Sequence, residues 1–510
     1  SLDVSGMSQL EQLFCAGNQL SNLDVSALSQ LQAFGCQSNP ITSLNTSNNP
    51  QLSYLYCPNT AITTLDVSLN SNLIELECGS PELMNLNLKN GKNETLTLAS
   101  SPNLLFICTD DEQENAIQTI ADTNAGLGCV VNSYCSFVPG GNYNKIVGNF
   151  IYDADNNGCD SNDSIFPFNI RLNIIGDTTN GGTFTNATGA YVFYTEIGNY
   201  SLVPQLEHAE YFNVSPQNPT LNFPLLDNSI QTQNFCITPS GLHPDIEVIL
   251  TPIGAARPGF DATYKIVYKN KGTIPINATI NLTFDDARTD FLTAFPTVDF
   301  QNAGVLTWNF TDLNPFETRA IDFTLNLNIP SENPSLNGGD ILNFMASSSI
   351  IVDEGTTYDN TFELNQTVVN SYDPNDKTCL EGNTITPENI GKYLHYNINF
   401  ENIGTADAVN IVVKDIIDTT KFDINSLQLL YASHAVETKI SGNKVEFIFE
   451  NINLPPTIQN PIGGHGNVLF KIKTLPTLVI GDQISNTANI FFDYNAPIQT
   501  NEARTTIATL

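Results

Sequence analysis

Four cysteines near the N-terminus follow one another at a fixed step of 21 residues, and this repeat constrains the fold more than any other feature. They are Cys15, Cys36, Cys57 and Cys78, and the leucines two and five residues before them keep the same step, with Phe34 replacing one leucine. A unit of this length cannot bury its apolar edge alone, so neighbouring units must stack on one another. The sequence therefore predicts a solenoid at the N-terminus.

The unit reads L-x-x-L-x-C-x-x-N-x-L-x-x-L-D-V-S over residues 10–26 and resembles the leucine-rich repeat, with cysteine in the third apolar position. We interpret the four cysteines as small buried apolar residues, because free cysteine packs in that way. The alternative is a metal site or disulfide bonds, since strands about 4.8 Å apart bring equivalent sulfur atoms near each other. Ser1 begins in the second half of a unit, so we expect further repeats upstream.

The formal charge of −34 excludes some classes of partner. Nucleic acids and anionic membranes need patches of lysine and arginine, and the 510 residues include only 19 of these beside 53 acidic residues. No apolar run reaches the ~18 residues that a membrane-spanning helix requires. Ten cysteines are compatible with an oxidising compartment. Six cysteines lie outside the cysteine ladder formed by the four at the 21-residue step, and they allow three disulfides. Cys108–Cys129 or Cys129–Cys135 would close the end of the solenoid.

The best helix candidate is the segment 116–120, which follows the last apolar positions of the solenoid. Asp110 and Asp111 precede it, and acidic residues stabilise a helix N-terminus. A helix here would cover the last unit as a cap. The sequence Pro139-Gly140-Gly141 after it indicates a linker.

An acidic loop after the strand predicted at 146–152 is the strongest metal candidate in the chain. Carboxylate and amide side chains alternate along it, Gly158 allows a tight turn, and Ca²⁺ takes about six to eight oxygen ligands. The loop resembles the first half of an EF-hand, but no Glu occupies the twelfth position. The alternative is a polar turn without an ion. We predict a structural Ca²⁺ held by Asp153, Asp155, Asn157, Asp160 and Asp163.

The residues around this loop resemble the prealbumin-like sandwich of Cna-B and Sdr-type surface proteins. The resemblance lies in the D-x-D-x-N-G loop, the phrase T-x-x-x-G-x-Y-x-F at 185–193 and the phrase G-x-Y at 198–200. It covers roughly residues 144–238. It implies a β-sandwich that often carries Ca²⁺ in this loop and serves as a stalk or spacer.

Two later stretches repeat one another and predict tandem Ig-like sandwiches. The phrase at 258–273 returns at 393–405 with the same N-x-G-T turn, and Gly339-Asp340 returns as Gly481-Asp482. Trp308, the only tryptophan, lies in an alternating strand. We therefore interpret it as a core residue, with sugar stacking as the alternative.

Three phrases in the C-terminal part carry a more specific resemblance: S-Y-D-P-N-D-K at 371–377, F-E-N-I-G-T-A-D-A at 400–408 and F-F-D-Y-N-A-P-I-Q-T-N at 491–501. They look like the domain pair of large proteins that Flavobacteria and other Bacteroidetes export by type IX secretion, often with leucine-rich repeats in front. The resemblance implies export and cell-surface display, and no reaction. We expect the C-terminal sorting domain of such proteins to have been cleaved or to follow Leu510.

The first of these phrases also predicts a fixed turn between two sandwiches, because Pro374 and the Asx residues around it favour one. Asp373, Asn375 and Asp376 bear oxygen atoms that suit either backbone amides or a cation. We interpret them as backbone caps, and a second cation site is the alternative.

Together these patterns predict a mainly β protein in which a short leucine-rich-repeat solenoid precedes three β-sandwiches in an elongated array. Turn signals and changes of pattern separate the segments. The predicted domains are the repeats at 1–108, a helical cap and linker at 109–143, a Cna-B-like sandwich at 144–240 and two Ig-like sandwiches at 241–370 and 371–510.

The sequence gives little support for catalysis. The five histidines form no H-E-x-x-H pair, and no nucleophile elbow, P-loop or dinucleotide fingerprint is present. A glycosidase needs only two carboxylates at a suitable separation, which a sequence does not reveal. We predict a protein without enzymatic activity.

A binding face is easier to place, because residues beside the third apolar position of a leucine-rich repeat point to its concave side. Exposed aromatic side chains there suit protein or glycan recognition. The alternative is a rigid spacer without a ligand. The predicted partner-binding residues are Phe14, Tyr54, Tyr56, Glu75 and Glu77.

The resulting hypothesis is a secreted or cell-surface protein that adheres to a protein or glycan through its repeats, displayed on a Ca²⁺-stiffened stalk at the outer face of the outer membrane. One alternative is cargo or a component of the type IX secretion or gliding apparatus, bound by that machinery. Another is a carbohydrate-binding accessory protein.

Overall fold

The computed structural model describes residues 2–177, 180–371, 373–461 and 463–509. Tyr372, which belongs to the predicted turn between sandwiches, lies outside the described residues. Strands dominate these ranges and form stacked parallel sheets followed by three pairs of facing sheets, so the chain is mainly β, as predicted. Within the same ranges, no helix is both long enough and apolar enough to cross a membrane.

The N-terminal repeats form two parallel sheets around one apolar core. Their strands are β1 (Gln12–Phe14), β2 (Ala33–Gly35), β3 (Tyr54–Tyr56), β4 (Thr64–Asp66), β5 (Glu75–Cys78), β6 (Asn85–Asn87), β7 (Thr95–Leu98), β8 (Phe106–Cys108) and β9 (Val130–Asn132). The first sheet has the order β1-β2-β3-β5-β7 and the second β4-β6-β8-β9. Equivalent positions pair, so Phe34 lies between Leu13 and Leu55. Stacking thus removes several apolar side chains of each unit from water.

The ladder cysteines line this core as free thiols. Cys36, Cys57 and Cys78 are at most 2% exposed, and Cys15 in the first unit is 9% exposed. Burial raises the pKa of the Cys36 thiol to about 12 and that of Cys57 well above its usual value, so these side chains stay protonated. The interpretation of the four cysteines as buried core residues is confirmed.

One α-helix in the described part of the chain covers the end of the solenoid: α1 (Glu114–Asn124). It buries Ile117 and Ala121 against the apolar core of the repeats, which confirms the predicted cap. The expectation that Asp110 and Asp111 stabilise its N-terminus is wrong. Asp110 accepts two backbone N–H groups from the adjoining loops, and Asp111 pairs with a lysine of the C-terminal region.

The disulfide at the end of the solenoid joins Cys108 to Cys135. Both pairings expected from the sequence are wrong, and Cys129 is a buried free thiol. The reason lies in β9, which pairs with β8 so that Cys108 lies beside Asn132. The chain that leaves β9 therefore passes Cys108, and the cysteine three residues further on reaches it.

The first sheet pair (144–239) packs around an aromatic core. Its strands are β10 (Asn144–Tyr152), β11 (Arg171–Gly176), β12 (Asn180–Phe184), β13 (Ala190–Thr195), β14 (Gly198–Gln205), β15 (Phe212–Ser215), β16 (Thr220–Phe223), β17 (Ile230–Thr232) and β18 (Phe235–Pro239). One sheet has the order β13-β10-β18-β15, with β17 also on β10, and the other contains β16-β14-β11-β12. Phe150 and Phe235 stack between them with ring centroids 4.6 Å apart. A 3₁₀ helix at Ala209–Tyr211 precedes β15.

The second sheet pair (246–367) encloses the only tryptophan. Its strands are β19 (Ile246–Pro252), β20 (Asp261–Asn270), β21 (Ile276–Thr283), β22 (Thr289–Phe295), β23 (Phe300–Asn302), β24 (Val305–Leu313), β25 (Thr318–Leu327), β26 (Ile341–Ser348) and β27 (Thr361–Thr367). The two sheets have the orders β19-β20-β25-β22 and β23-β24-β21-β26-β27. Trp308 is 3% exposed and donates its indole N–H to the carbonyl oxygen of Pro296 over 3.0 Å. Its interpretation as a core residue is confirmed.

The third sheet pair (377–507) repeats this arrangement. Its strands are β28 (Lys377–Cys379), β29 (Thr384–Ile385), β30 (Tyr393–Glu401), β31 (Ile411–Ile416), β32 (Phe422–Ala432), β33 (Glu437–Ser441), β34 (Lys444–Phe449), β35 (His465–Thr474), β36 (Gln483–Asn486), β37 (Ala488–Phe492), β38 (Ile498–Gln499) and β39 (Ala503–Ile507). The main sheets contain β28-β30-β35-β32 and β33-β34-β31-β37-β38, and a small third sheet has the order β29-β39-β36. A 3₁₀ helix at Pro387–Asn389 follows β29.

The N-x-G-T turn has the same structure in the second and third sheet pairs. Asn270 is buried and donates its amide N–H groups to two carbonyl oxygens, and its own amide oxygen accepts the N–H of Gly272. Asn402 does the same and accepts the N–H of Gly404. The internal repeat detected in the sequence therefore corresponds to a hydrogen-bonded turn that occurs once in each of these two sheet pairs.

The expectation of an elongated array is wrong, because the first and third sheet pairs join edge to edge. β12 pairs with β33, which places Gly181 beside Ser441 and makes one continuous sheet of both pairs. A Cβ on Gly181 would lie 2.3 Å from the carbonyl oxygen of Ile440, so only glycine allows this approach. Phe184 of β12 also belongs to the core of the third pair. Whether each pair folds as a separate domain with the predicted boundaries stays a prediction.

The end of the solenoid also packs on the third sheet pair. Tyr134 lies against Phe491 with ring centroids 4.9 Å apart, and Val412 and Ile448 complete this small apolar cluster. The tyrosine hydroxyl donates to Oε1 of Glu446 over 2.6 Å. The repeats therefore sit against the body of the molecule.

A buried group of charges lies where the three sheet pairs meet. Nζ of Lys471, on the third pair, lies 2.6 Å from a carboxylate oxygen of Glu207 of the first pair and 2.6 Å from one of Glu247 of the second. Burial alone would lower the pKa of Lys471, but these two carboxylates outweigh it and raise that pKa. Lys271 beside them pairs with Asp359, and its Nζ lies 3.4 Å from Asp245. Each charge at this junction thus has a partner of opposite sign, and the Lys471 contacts connect all three sheet pairs.

Candidate functional site

The exposed face of the first parallel sheet carries the residues predicted to bind a partner. The register places Tyr54 beside Glu75, and Tyr56 beside Glu77, on the neighbouring strands β3 and β5. Phe14 of β1 lies in the same row as Tyr56 and Glu77. Because side chains alternate between the two faces of a strand, these five project from the face opposite the buried leucines. The structure thus brings the predicted residues onto one surface.

Phe14 and Tyr54 are the most accessible residues of this surface, at 59% and 37% exposed. The Phe14 ring lies over Gly35 on the next strand, where an added Cβ would be 2.6 Å from a ring carbon. The glycine therefore leaves room for the ring to lie along the sheet. Ala33, the other small residue on β2, is buried. The aromatic side chains of β1 and β3 therefore flank a strand, β2, whose own side chains do not project between them.

The acidic side of the surface is coupled to its aromatic side. The Tyr56 hydroxyl donates to Oε2 of Glu75 over 3.4 Å, and both side chains are half-buried. Burial and then the Glu75 carboxylate raise the pKa of Tyr56, so its hydroxyl remains a donor. Glu77 is also half-buried on the same strand as Glu75. The surface can offer apolar rings at one end and carboxylates at the other.

The acidic loop after β10 is the second candidate site. The backbone N–H of Asp153 donates to the carbonyl oxygen of Ile237 over 2.9 Å, and a disulfide joins Cys159 to Cys236. Both links attach the loop to β18. Asn156, with φ of 60°, turns the chain within it. The loop is therefore attached to the sandwich at its first residue, Asp153, and at Cys159 in its middle.

Three of the five predicted metal ligands come together in this loop. Asp153, Asp155 and Asp163 each place a carboxylate oxygen within 4.8 Å of the others. Desolvation acts to raise the pKa of Asp153, but hydrogen bonds led by the Gly158 N–H outweigh it and lower that pKa. Desolvation, the shared hydrogen bond with Asp153 and its charge raise the pKa of Asp155. Carboxylates this close repel one another, and a shared proton or a cation between them relieves that repulsion.

The other two predicted ligands lie differently. Asn157 adjoins the cluster, because its Nδ2 donates to Oδ2 of Asp155 over 2.8 Å. Asp160 is not part of the cluster, since its carboxylate accepts both the backbone and the side-chain N–H of Asn162. Its backbone N–H donates to Oδ2 of Asp163 over 2.8 Å. Asp160 thus shapes the loop that carries Asp163.

The acidic residues of the S-Y-D-P-N-D-K phrase hold backbone and side-chain donors. Asp373 accepts the backbone N–H of Asn375 over 3.0 Å, and Asn375 accepts that of Glu401 over 3.1 Å. Asp376 accepts side-chain donors from Thr378 and Asn399. The interpretation as backbone caps agrees with the contacts of Asp373 and Asn375, whereas Asp376 holds two side chains instead.

Sequence reasoning missed the buried lysines. Lys377, Lys271 and Lys471 are all less than 5% exposed, and each pairs with a buried or nearly buried carboxylate. The signal that was available is a lysine at an inward position of an alternating strand, as in K-T-C at 377–379. Only contacts between distant segments reveal their partners.

A family model described as a domain of unknown function, DUF7619, matches residues 373–506. The match therefore covers the third sheet pair and less than half of the chain. A search of curated proteins found no match to this sequence.

Solved structures of bacterial proteins resemble parts of the chain weakly. The C-terminal domain of the antigen I/II-family protein AspA of Streptococcus pyogenes is 9% identical, with 52% of this chain and 99% of that one covered and a TM-score of 0.18. BcpA, the major pilin subunit of Bacillus cereus, is 11% identical, with 72% and 95% covered and a TM-score of 0.19. The functional domain of InlJ from Listeria monocytogenes, which includes a cysteine ladder, is 18% identical, with 47% and 50% covered and a TM-score of 0.16. At these TM-scores, none establishes a shared overall fold.

Proposed function

We propose that this chain is a non-enzymatic secreted or cell-surface protein that binds a protein or glycan through the exposed face of its leucine-rich repeats. The observation that carries this proposal is the surface formed on three strands of one sheet, β1, β3 and β5, by Phe14, Tyr54, Tyr56, Glu75 and Glu77. Exposed aromatic rings grouped on a surface mark interaction sites, and a rigid sheet presents them without loss of conformational entropy. The two disulfides support an oxidising compartment.

The binding test compares the full chain with two variants on a glycan array and on intact producing cells. Phe14→Ala/Tyr54→Ala should weaken binding by at least about tenfold, because aromatic anchors dominate such contacts. Leu127→Ala, which changes a fully exposed apolar residue at the far end of the solenoid, should bind like the natural chain. Periodate treatment of the cells identifies a glycan partner, and protease treatment a protein one. Equal binding by the double variant would contradict the proposal.

Export by type IX secretion to the outer face of the outer membrane is part of the same proposal. It is supported by the three C-terminal phrases, which resemble proteins exported in this way. Protease added to intact producing cells should remove the chain, and loss of the type IX translocon should leave it inside the cell. Protection of the chain in intact, secretion-competent cells would argue against display at the surface.

We further propose that the acidic loop holds a structural Ca²⁺ through Asp153, Asp155 and Asp163, with Asn157 beside them. The support is the convergence of three carboxylate oxygens within 4.8 Å on a loop attached to β18 at Asp153 and at Cys159. Such oxygen ligands suit Ca²⁺, and a cation removes the repulsion among them. Its effect would be to stiffen the connection between β10 and the rest of the first sheet pair.

Thermal unfolding of the full chain with EDTA and with Ca²⁺ tests this site. Ca²⁺ at 100 times its Kd should stabilise the folded state by about 2.7 kcal/mol, so EDTA should lower the unfolding temperature. Asp155→Asn/Asp163→Asn should remove the EDTA effect. Asp160→Asn is the matched control, because the structure places this carboxylate outside the cluster, and its EDTA effect should remain. The absence of any EDTA effect, with no calcium by elemental analysis, would refute the site.

A further inference from the structure

A lysine, an aspartate and an asparagine meet in the core of the third sheet pair. Lys377 of β28 and Asp415 of β31 are completely buried and form an ion pair. Asn486, the last residue of β36, is 5% exposed and donates Nδ2 to Oδ2 of Asp415 over 3.5 Å. Nζ of Lys377 donates to the same oxygen atom. The amine and the carboxamide therefore share one acceptor and lie next to each other.

The surroundings of these three groups are apolar and aromatic. Nζ of Lys377 lies 5.2 Å from the ring centroid of Tyr396 and 5.4 Å from that of Phe470, and both rings are completely buried. Oδ1 of Asp415 is buried without a hydrogen-bond partner among the described residues. Burial lowers the pKa of Lys377 and raises the pKa of Asp415. Burial thus works against the charged forms of both groups and makes the proton between them easier to move.

The sandwich itself does not require a lysine at this position. The internal repeat aligns Ile266 with Ile398, and these residues pair with Leu250 and Lys377, respectively. Leu250 is completely buried. The second sheet pair therefore has leucine where the third has Lys377.

The other two positions show the same replacement. Leu282 pairs with Ala346, and Asp415 pairs with Ala488. The two alanines follow the repeated Gly-Asp turn at the same distance, so Asp415 takes the place of Leu282. Phe344 follows the repeated Gly-Asp turn at the same distance as Asn486. Leucine, leucine and phenylalanine thus build one sandwich, whereas lysine, aspartate and asparagine occupy the same places in the other.

We propose that Lys377 and Asn486 form an intramolecular isopeptide bond, with Asp415 as the proton relay. The neutral amine of Lys377 attacks Cγ of Asn486, the new C–N bond forms, and the bond from Cγ to Nδ2 breaks. Asp415 takes one proton from Nζ and delivers one to Nδ2, so ammonia leaves and the carboxyl group is unchanged at the end. The reaction consumes no oxidant, metal or cofactor.

The geometry supplies what this reaction needs. The fold fixes the amine on β28 and the carboxamide on β36, strands of two different sheets that meet at Asp415. This replaces an encounter between two molecules with a step inside one. The apolar core excludes the water that would compete for the carboxamide carbon. Asp415 contacts both reacting groups, as a relay must. The product links β28 to β36, close to the two ends of the third sheet pair.

The intact mass of the full chain, reduced and denatured, tests the proposal directly. The expected mass is lower than that of the sequence by one ammonia, and proteolytic digestion should yield a branched peptide that joins Lys377 to Asn486. A mass equal to that of the sequence overturns the proposal. So does a loss of ammonia without the branched peptide, since succinimide formation also releases ammonia. Loss of one water with a branch between Lys377 and Asp415 overturns it as well.

Variants separate the roles of the three groups. Asn486→Ala and Asp415→Ala should each have the full mass of their sequence. Asn486→Asp should lose water in place of ammonia, because the leaving group changes. Lys265→Met is the matched control: it removes a lysine that pairs with Asp322 in the second sheet pair, and it should keep the loss of ammonia. Loss of ammonia in Asn486→Ala would contradict the assignment. The mass of the natural chain decides the question even where a variant fails to fold.

Discussion

The second and third sheet pairs are two versions of one sandwich that differ in the chemistry of their cores. Both contain the buried asparagine turn, at Asn270 and Asn402, and both place the repeated Gly-Asp turn before a strand. The core of the second is apolar around Trp308. The third buries an ion pair between Lys377 and Asp415. The difference teaches that the turns belong to the common sandwich scaffold, whereas the buried charges of the third sheet pair are not needed to form it.

Buried ion pairs are a poor source of stability. Removing two charges from water costs several kcal/mol, and well-packed apolar side chains of similar volume often stabilise a core as much or more. The second sheet pair demonstrates such an apolar solution with Leu250 and Leu282, both completely buried. The proposed reaction of Lys377 with Asn486 explains why the third sheet pair has polar residues where the second has apolar ones.

The largest expected effect comes from replacing a core residue of the second sheet pair with the residue at the matching position of the third. Leu282→Asp removes a buried apolar side chain and places a carboxylate in a core without a cation, so the loss of stability should exceed about 5 kcal/mol. Trp308 is the only tryptophan and lies in the same core, so its fluorescence during urea unfolding reports on this sandwich. A stable Leu282→Asp variant would break the comparison.

Asp415→Ala should destabilise the third sheet pair by about 3 to 5 kcal/mol, because it leaves Lys377 buried and unpaired. Hydrogen exchange of residues 373–507 measures the loss where it occurs. Asp407→Ala, which changes an exposed carboxylate of the same sheet pair, is the control and should leave exchange unchanged. A similar effect of both substitutions would mean that the buried ion pair contributes no more to stability than an exposed carboxylate does.

Asn270→Ala and Asn402→Ala should have equal effects of about 1 to 3 kcal/mol, because each leaves buried carbonyl groups without a donor. Trp308 fluorescence reports on the first variant and hydrogen exchange on the second. Clearly unequal losses would show that the two turns are alike in geometry but not in energy.

Lys265→Met should change stability by less than about 1 kcal/mol. Its partner Asp322 lies at the surface with 45% of the side chain exposed, so water replaces the lysine when it is removed. Chemical denaturation followed by Trp308 fluorescence measures this change. If the loss were as large as that of Asp415→Ala, exposure of the carboxylate would not distinguish this pair from the completely buried one.

The regular parts of the molecule could be predicted from the sequence because they depend on local spacing. The 21-residue step positions Leu13, Phe34 and Leu55 in register, and alternation places Trp308 inside. The same spacing brings Phe14 and Tyr54 onto one surface. In the acidic loop, spacing identified the three carboxylates that converge, but not that Asp160 would hold the backbone of Asn162.

The packing of the sheet pairs against one another could not be predicted in this way. The strand pairing of Gly181 with Ser441 and the contacts of Lys471 with Glu207 join segments more than 200 residues apart. A periodic pattern records which face of a strand is buried, but not which distant surface covers it. The same limit hid the partners of Lys377, although its inward position in a strand is visible in the sequence.

The joining of β12 to β33 also bears on how such a chain can be divided. The segment that matches the family model, 373–506, includes β33 but neither β12 nor Phe184, which completes its core. Without the rest of the chain, that segment would expose the edge of β33 and leave a cavity where Phe184 packs. An exposed strand edge can pair with another copy of the segment. The stretch of sequence that the family model matches and the packed core to which it contributes therefore have different boundaries.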